Sequence, residues 1–217
     1  MQLSVLLSLL PLAAAFPLHL PQAIRALLPR DLSSSQQDDL IDGTECKAIT
    51  VIFARGTDSP GNMGESTGPP FVEAIGALVG TDNIAVQGVE YGATILTFLE
   101  GGDKKGAALM ASLTEQAMTQ CPSTKVVMAG YSQGGQLVHI AAASLSATVS
   151  AEVSSVVIFG DPDDGDAVGS IPSSKVLIIC HKLDFICDGS FIVDSEHLNY
   201  AEDAGDAAAF VVAAAGL

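Results

Sequence analysis

The sequence predicts an α/β fold in which a central, mainly parallel five-stranded sheet lies between two layers of helix. Two patterns along the chain predict it, and a third predicts where its chemistry sits. Five short apolar runs rich in β-branched residues recur. Ala-rich segments of helical spacing separate them. A glycine-flanked turn joins one strand run directly to one helix run.

The strand runs are 48–54 (AITVIFA), 84–89 (IAVQGV), 125–129 (KVVMA), 153–159 (VSSVVIF) and 175–180 (KVLIIC). Their apolarity is nearly continuous instead of alternating, the mark of strands buried on both faces. Phe71, Ile75 and Leu78 share one helical stripe. Further helices are expected over 107–118 and 136–145, and over the tail 200–215, whose ends Gly205 blurs. Such alternation calls for crossover connections and helices on both sheet faces. No internal repeat occurs. The spacing leaves no room for a large inserted lid, so a site at the sheet edge is expected to be open.

The chain has 217 residues, 48% apolar and 16% charged, a composition suited to one well-buried domain. Nine basic residues face 25 acidic ones, for a net charge of −16. So acidic a surface repels phosphate backbones, which argues against nucleic acid as a partner. Residues 1–15 resemble a signal peptide: an apolar run from Leu3 to Leu10 precedes Ala13, Ala14 and Ala15. That run is too short to span a bilayer, so no integral membrane association is expected. Pro-broken residues 16–30 form a candidate pro-segment. The polar stretch 31–39 (DLSSSQQDD) is expected to be flexible, and the domain proper spans 31–217.

Four cysteines behind a signal peptide imply two disulfides. Three pairings are open. The closeness of Cys180 and Cys187 favours a local staple, which would leave Cys46 with Cys121. A zinc site fits poorly, because no CxxC pair occurs and no histidine lies at ligand spacing.

Gly130-Tyr131-Ser132-Gln133-Gly134 matches G-x-S-x-G and sits between a strand run and a helix run. In that context it reads as a nucleophile elbow of the α/β-hydrolase type. The helix N-terminus directs partial positive charge at Ser132, where an oxyanion would develop. A serine nucleophile needs a base, and the base needs a carboxylate to orient it. His19 lies in the removable segment. His139 sits seven residues along the elbow helix, about 10 Å of rise and too far for a hydrogen bond. His197 occupies the late loop that the order Ser, acid, His requires. His181, at a strand end, suits at most a supporting role. Asp184 lies between Cys180 and Cys187, where a disulfide would fix its carboxylate. Asp161, Asp188, Asp194 and Glu196 are its rivals. An oxyanion hole would combine the N–H of Gln133 with a donor from Arg55-Gly56-Thr57, where Thr57 offers an N–H and a hydroxyl. Arg55 itself reads as a structural cation. The acidic run Asp161 to Asp166 has its glycine one place early for a calcium loop and lacks the terminal Glu, so it reads as a turn.

The elbow GYSQGG, the run Cys180-His-Lys-Leu-Asp184-Phe-Ile-Cys187, the later Gly189-Ser190 and His197-Leu198, and IFARGT over 52–57 together resemble the cutinase family of fungal secreted esterases. That resemblance implies a triad of Ser132, Asp184 and His197. It also implies an oxyanion hole framed by Thr57 and Gln133, and disulfides Cys46–Cys121 and Cys180–Cys187. It further implies ester hydrolysis with no metal or cofactor, on cutin or another plant-wall ester, by a secreted enzyme; a monomer is expected. Thr57 stands where many of that family carry Ser, and Leu183 where a Gly often precedes the acid. The variant Phe159-Gly160-Asp161-Pro162 is shared with acetylxylan esterases. An esterase deacetylating plant polysaccharide is therefore the second reading, and a non-catalytic surface protein the third. Two apolar stretches, 94–99 and 191–193, would grip an acyl chain if exposed.

Overall fold

The structure, a computed structural model, describes residues 31–217. The signal peptide and pro-segment expected over 1–30 lie outside the described residues. Five strands form one sheet: β1 (Ile49–Ala54), β2 (Ile84–Gly88), β3 (Lys125–Tyr131), β4 (Ser155–Phe159) and β5 (Val176–Ile179). Their order is β2-β1-β3-β4-β5, and every pairing between them is parallel. The helices are α1 (Gly68–Val79), α2 (Ile95–Leu99), α3 (Lys104–Gln120), α4 (Gln133–Ser144), α5 (Ala147–Glu152) and α6 (Ala204–Ala215).

Successive side chains of each strand enter opposite cores. Ile52, Met128 and Ile158 pack against Met110 and Leu113 of α3 and Leu137 and Ala141 of α4. Val51, Val127 and Val157 pack on the other face, against Phe71 and Ile75 of α1 and Ala207 and Val211 of α6. With both faces covered, a strand carries no polar side, which is why the runs read as continuous apolarity. Parallel connections deliver every strand's C-terminal end to the same edge, and the strand order reverses where β1 meets β3. A functional site belongs at that edge.

Three details differ from the sequence reading. Leu78 falls outside the buried stripe of α1 and is exposed, although Gly76 and Val79 of the same turn face the core. The tail is not one helix: a 3₁₀ turn over Tyr200–Asp203 precedes α6. Most changed is 31–39, expected to be flexible. Leu32 is buried in the α1 core, Asn62 donates to the Gln37 carbonyl at 3.1 Å, and Asp38 forms an antiparallel bridge with Gln87 of β2. Its polar residues supply partners for a sheet edge, a use that composition does not reveal.

The cysteines form Cys46–Cys121, across a separation of 75 residues, and Cys180–Cys187, across seven. No helix among the described residues is long and apolar enough to cross a membrane.

Candidate active site

Strand β3 runs into Ser132, which adopts φ 56° and ψ −123° before α4 begins. The turn is tight because nothing larger than glycine fits around it. A Cβ on Gly130 would lie 2.3 Å from the Gly134 carbonyl oxygen, and one on Gly134 would lie 2.0 Å from that of Ala54. The Ser132 N–H donates to the Phe159 carbonyl at 2.9 Å, which locks the turn to β4. Ser132 is the N-cap of α4, yet its hydroxyl makes no capping bond. That hydroxyl lies 2.9 Å from His197 Nε2.

His197 comes from a 3₁₀ turn, Glu196–Leu198, in the connection between β5 and α6. Its Nδ1 lies 2.8 Å from Asp184 Oδ2, and all three residues are buried. Donation from Nδ1 to the carboxylate leaves Nε2 as the acceptor for the serine proton. The ring is held on several sides. It stacks on Tyr131, with centroids 5.2 Å apart, and the Tyr131 hydroxyl donates to the His197 carbonyl at 2.7 Å. Burial, and secondarily the Asp184 charge, pushes the Tyr131 phenol up to about 12, so it remains a donor. Gly160 lies beneath the ring, where a Cβ would approach His197 Cε1 to 2.8 Å. Asp194 accepts the N–H of Phe185, Glu196 and His197. Those backbone donors, Phe185 foremost, hold its carboxyl below the usual range. Asp184 Oδ1 accepts the Ile186 N–H at 3.0 Å, inside the loop that Cys180–Cys187 closes.

Gln133 and Thr57 meet across this edge. The Gln133 N–H is the first of α4 and has no intrahelical acceptor. Its side-chain amide donates to Thr57 Oγ1 at 3.0 Å and to the Thr94 carbonyl at 2.7 Å, while its Oε1 accepts from the Thr97 hydroxyl at 3.1 Å. The Thr57 hydroxyl accepts from Gln133 and so keeps its own proton to donate. Asp58, Ala93, Ser132 and Leu183 are the non-glycine residues with positive φ among the described residues, and all lie in loops around this edge. Such strain persists only where surrounding structure imposes it, and it concentrates at functional sites.

The rivals lie elsewhere or do other work. His139 Nε2 contacts Asp161 Oδ2 at 2.8 Å, a buried pair away from Ser132. The acidic run it anchors is a turn, and among the described residues no group of His, Cys, Asp or Glu is arranged to hold a metal ion. Arg55 donates to the carbonyls of Ser59 and Tyr91, a structural cation as expected. His181 contacts the Glu196 carbonyl and Asp203, not Ser132. Of the other carboxylates, Asp194 fixes the His197 backbone. Sequence reasoning missed Tyr131 and Tyr200, both packed against His197. The one available signal was position, one residue before the serine and three after the histidine.

Exposed apolar side chains rim this edge on two segments: Ile95, Leu96 and Leu99 of α2, and Leu183, Phe185, Phe191, Ile192, Val193 and Leu198 of the connection between β5 and α6. Phe98 and Phe191 meet edge-on, centroids 5.9 Å apart.

Residues 45–215 match the Cutinase family model. Cutinase pbc1 of Pyrenopeziza brassicae is 48% identical over 194 residues, which are 89% of this chain and 92% of that protein. A cutinase of Botryotinia fuckeliana is 47% identical over 82% of this chain and 88% of its own length. The structure of Trichoderma reesei cutinase in complex with a C11Y4 phosphonate inhibitor superposes with a TM-score of 0.79 at 41% identity, covering 84% of this chain and 81% of that one. On fold, sequence and the extent of both matches, this chain belongs to the cutinase family of carboxylic ester hydrolases.

Proposed function

We propose that the protein is a secreted serine esterase with Ser132 as nucleophile, His197 as general base and acid, and Asp184 as the orienting carboxylate. The observation that carries this reading is the unbroken chain Ser132 Oγ–His197–Asp184, at 2.9 and 2.8 Å. His197 takes the serine proton as Oγ attacks the ester carbonyl carbon. The oxyanion is met by the N–H groups of Thr57 and Gln133 and by the Thr57 hydroxyl, each preorganised donor contributing about 3–4 kcal/mol. The imidazolium, stabilised by Asp184, then protonates the leaving alcohol. Water, deprotonated by the same histidine, attacks the acyl-enzyme, and Ser132 recovers its proton as the acid departs. Every proton is handled by His197, so the cycle calls on no metal or cofactor. The T. reesei cutinase complex supports this reading, since a phosphonate carries the tetrahedral geometry of such an intermediate.

For substrate, the exposed apolar rim favours the acyl chains of cutin and short-to-medium-chain esters over acetyl groups on polysaccharide. An acetyl group has one methyl to bury and needs no such surface. Secretion follows if residues 1–15 are a signal peptide and 16–30 a pro-segment. The two disulfides suit that compartment. The acting species would be a monomer.

Two measurements test the reading. Ser132→Ala should fold normally and lose turnover of p-nitrophenyl butyrate; substantial residual activity refutes the nucleophile. A chain-length profile with solid cutin included should peak beyond acetate, and activity confined to acetyl esters would instead select the polysaccharide deacetylase.

A further inference from the structure

The carboxylate that orients His197 has a further donor. Asp184 Oδ2 accepts not only from His197 Nδ1 but also from the Tyr200 hydroxyl, at 2.6 Å. Tyr200 is wholly buried. Its hydroxyl in turn accepts the His181 N–H at 3.0 Å. The His181 ring stacks on the Tyr200 ring, with centroids 4.2 Å apart and planes 22° from parallel. That imidazole is pinned at both nitrogens, Nδ1 at 2.9 Å from the Glu196 carbonyl and Nε2 at 2.6 Å from Asp203 Oδ2. We infer that Tyr200 is a positioning residue of the ester hydrolysis proposed above, on which this inference rests: its hydroxyl, donated to Asp184, sets how strongly Asp184 holds His197, while His181 and Asp203 hold Tyr200.

The geometry leaves little else for this hydroxyl to do. A buried phenol needs one acceptor for its proton, and several groups surround this one. The titratable and charged groups facing it are Asp184, His181, Asp203, His197 and Tyr131, and β4 contributes only the Phe159 ring. The Cys187 sulfur, 3.8 Å away, is in a disulfide. Burial, reinforced by the bond to Asp184, raises the phenol well above its ordinary range, so it remains protonated wherever the enzyme works. Two donors on one carboxylate oxygen spread its charge. A carboxylate satisfied in this way pulls less on the imidazolium than one with His197 alone on that oxygen.

Removal of the hydroxyl should therefore strengthen the hold of Asp184 on protonated His197. The imidazole would then lose its proton at higher pH, and the acidic limb of kcat/KM would move up. A fluorinated phenol, a stronger donor of nearly the same shape, should move it down. A role in packing alone does not produce opposite signs.

The experiment compares the wild-type protein, Tyr200→Phe, and protein carrying 3-fluorotyrosine at position 200, with p-nitrophenyl butyrate as substrate. Tyr200→Phe is expected to lower kcat about tenfold with KM within about twofold. Its acidic limb should rise by roughly half a pH unit, and that of the fluorinated protein should fall. Fluorophosphonate labelling of Ser132 is measured alongside. If wild type and Tyr200→Phe both label while kcat and the limb are unchanged, or both replacements move the limb the same way, the role of Tyr200 is overturned and the serine reading stands. If wild type does not label, the serine reading fails and this inference falls with it. Should Tyr200→Phe melt below the assay temperature, the fluorinated protein decides by the direction of its shift.

Discussion

At Thr57 two donors project from one residue, and they can be separated. Thr57→Val keeps the N–H and the shape but removes the hydroxyl that Gln133 orients. Loss of one preorganised oxyanion donor costs about 10²–10³ in kcat, so such a fall with KM little changed is expected, and Thr57→Ser should retain most activity. Steady-state kinetics on a soluble ester check both. Leu183 offers a second single-residue test. It holds φ 78° immediately before Asp184, a conformation that an L side chain adopts at a cost of roughly 1–2 kcal/mol. Its side chain is 64% exposed, so little packing is lost on truncation. Leu183→Gly is expected to raise stability by about 0.5–1 kcal/mol once the entropy of glycine is set against the relieved strain. The same change removes one apolar face of the rim. It should raise KM for longer acyl chains more than for short ones, which denaturant melts and a chain-length series would show together.

The elements that matter most are the two meeting at the elbow, β3 and α4. Their close approach depends on Gly134, whose Cβ would collide with the backbone of β1. Backbone cannot swing aside as a side chain can. Gly134→Ala is therefore expected to cost roughly 3 kcal/mol and to displace Ser132, read as a lower denaturation midpoint and a large loss of kcat. The connection between β5 and α6 is a different kind of element. It has almost no regular structure, yet it carries Asp184, Asp194 and His197. A disulfide, backbone donors to Asp184 and Asp194, and the Tyr131 and Tyr200 rings hold it in place of helix or sheet hydrogen bonds. The strand runs and the elbow were readable in the chain, because parallel burial and a strand-to-helix glycine turn each leave a local pattern. This connection was readable only as spacing. Its conformation comes from partners distant in sequence.

Over the whole molecule, two histidines make stability depend on pH. Burial alone would lower the His139 pKa, but the bond to and charge of Asp161 raise it on balance. Burial likewise opposes protonation of His181, and the Glu196 carbonyl and Asp203 overcome it. Both folded values thus lie above the ordinary 6.5. Each pair contributes its full stabilisation below pH 6.5 and loses it as pH rises through the folded value. The melting temperature should accordingly fall as pH is raised above 6.5, and His139→Asn combined with His181→Asn should flatten that slope. The disulfides act on the same global scale through the unfolded chain. With a loop of 75 residues, Cys46–Cys121 should contribute about 4.5 kcal/mol, against about 2.5 kcal/mol for the seven-residue Cys180–Cys187 loop. Removing the first should lower the denaturation midpoint more, and removing the second should lower activity more, because it frees Asp184.

Residue order alone carried the parallel sheet, its helix layers and the elbow serine; resemblance to a family, not patterning, singled out Asp184 among its rival carboxylates. The sheet and the elbow depend on local patterning, whereas carboxylates are common enough that spacing alone leaves several in contention. Tertiary structure decided what depends on distance. It paired His139 with Asp161 and laid residues 37–39 along β2. It turned Ile95, Leu96, Leu99 and the stretch 191–193 outward while burying Phe98, and it set Tyr200 behind Asp184. A hydrogen bond between residues far apart in the chain leaves no periodicity to read. It exists only once the backbone has folded and burial has removed water as the competing partner.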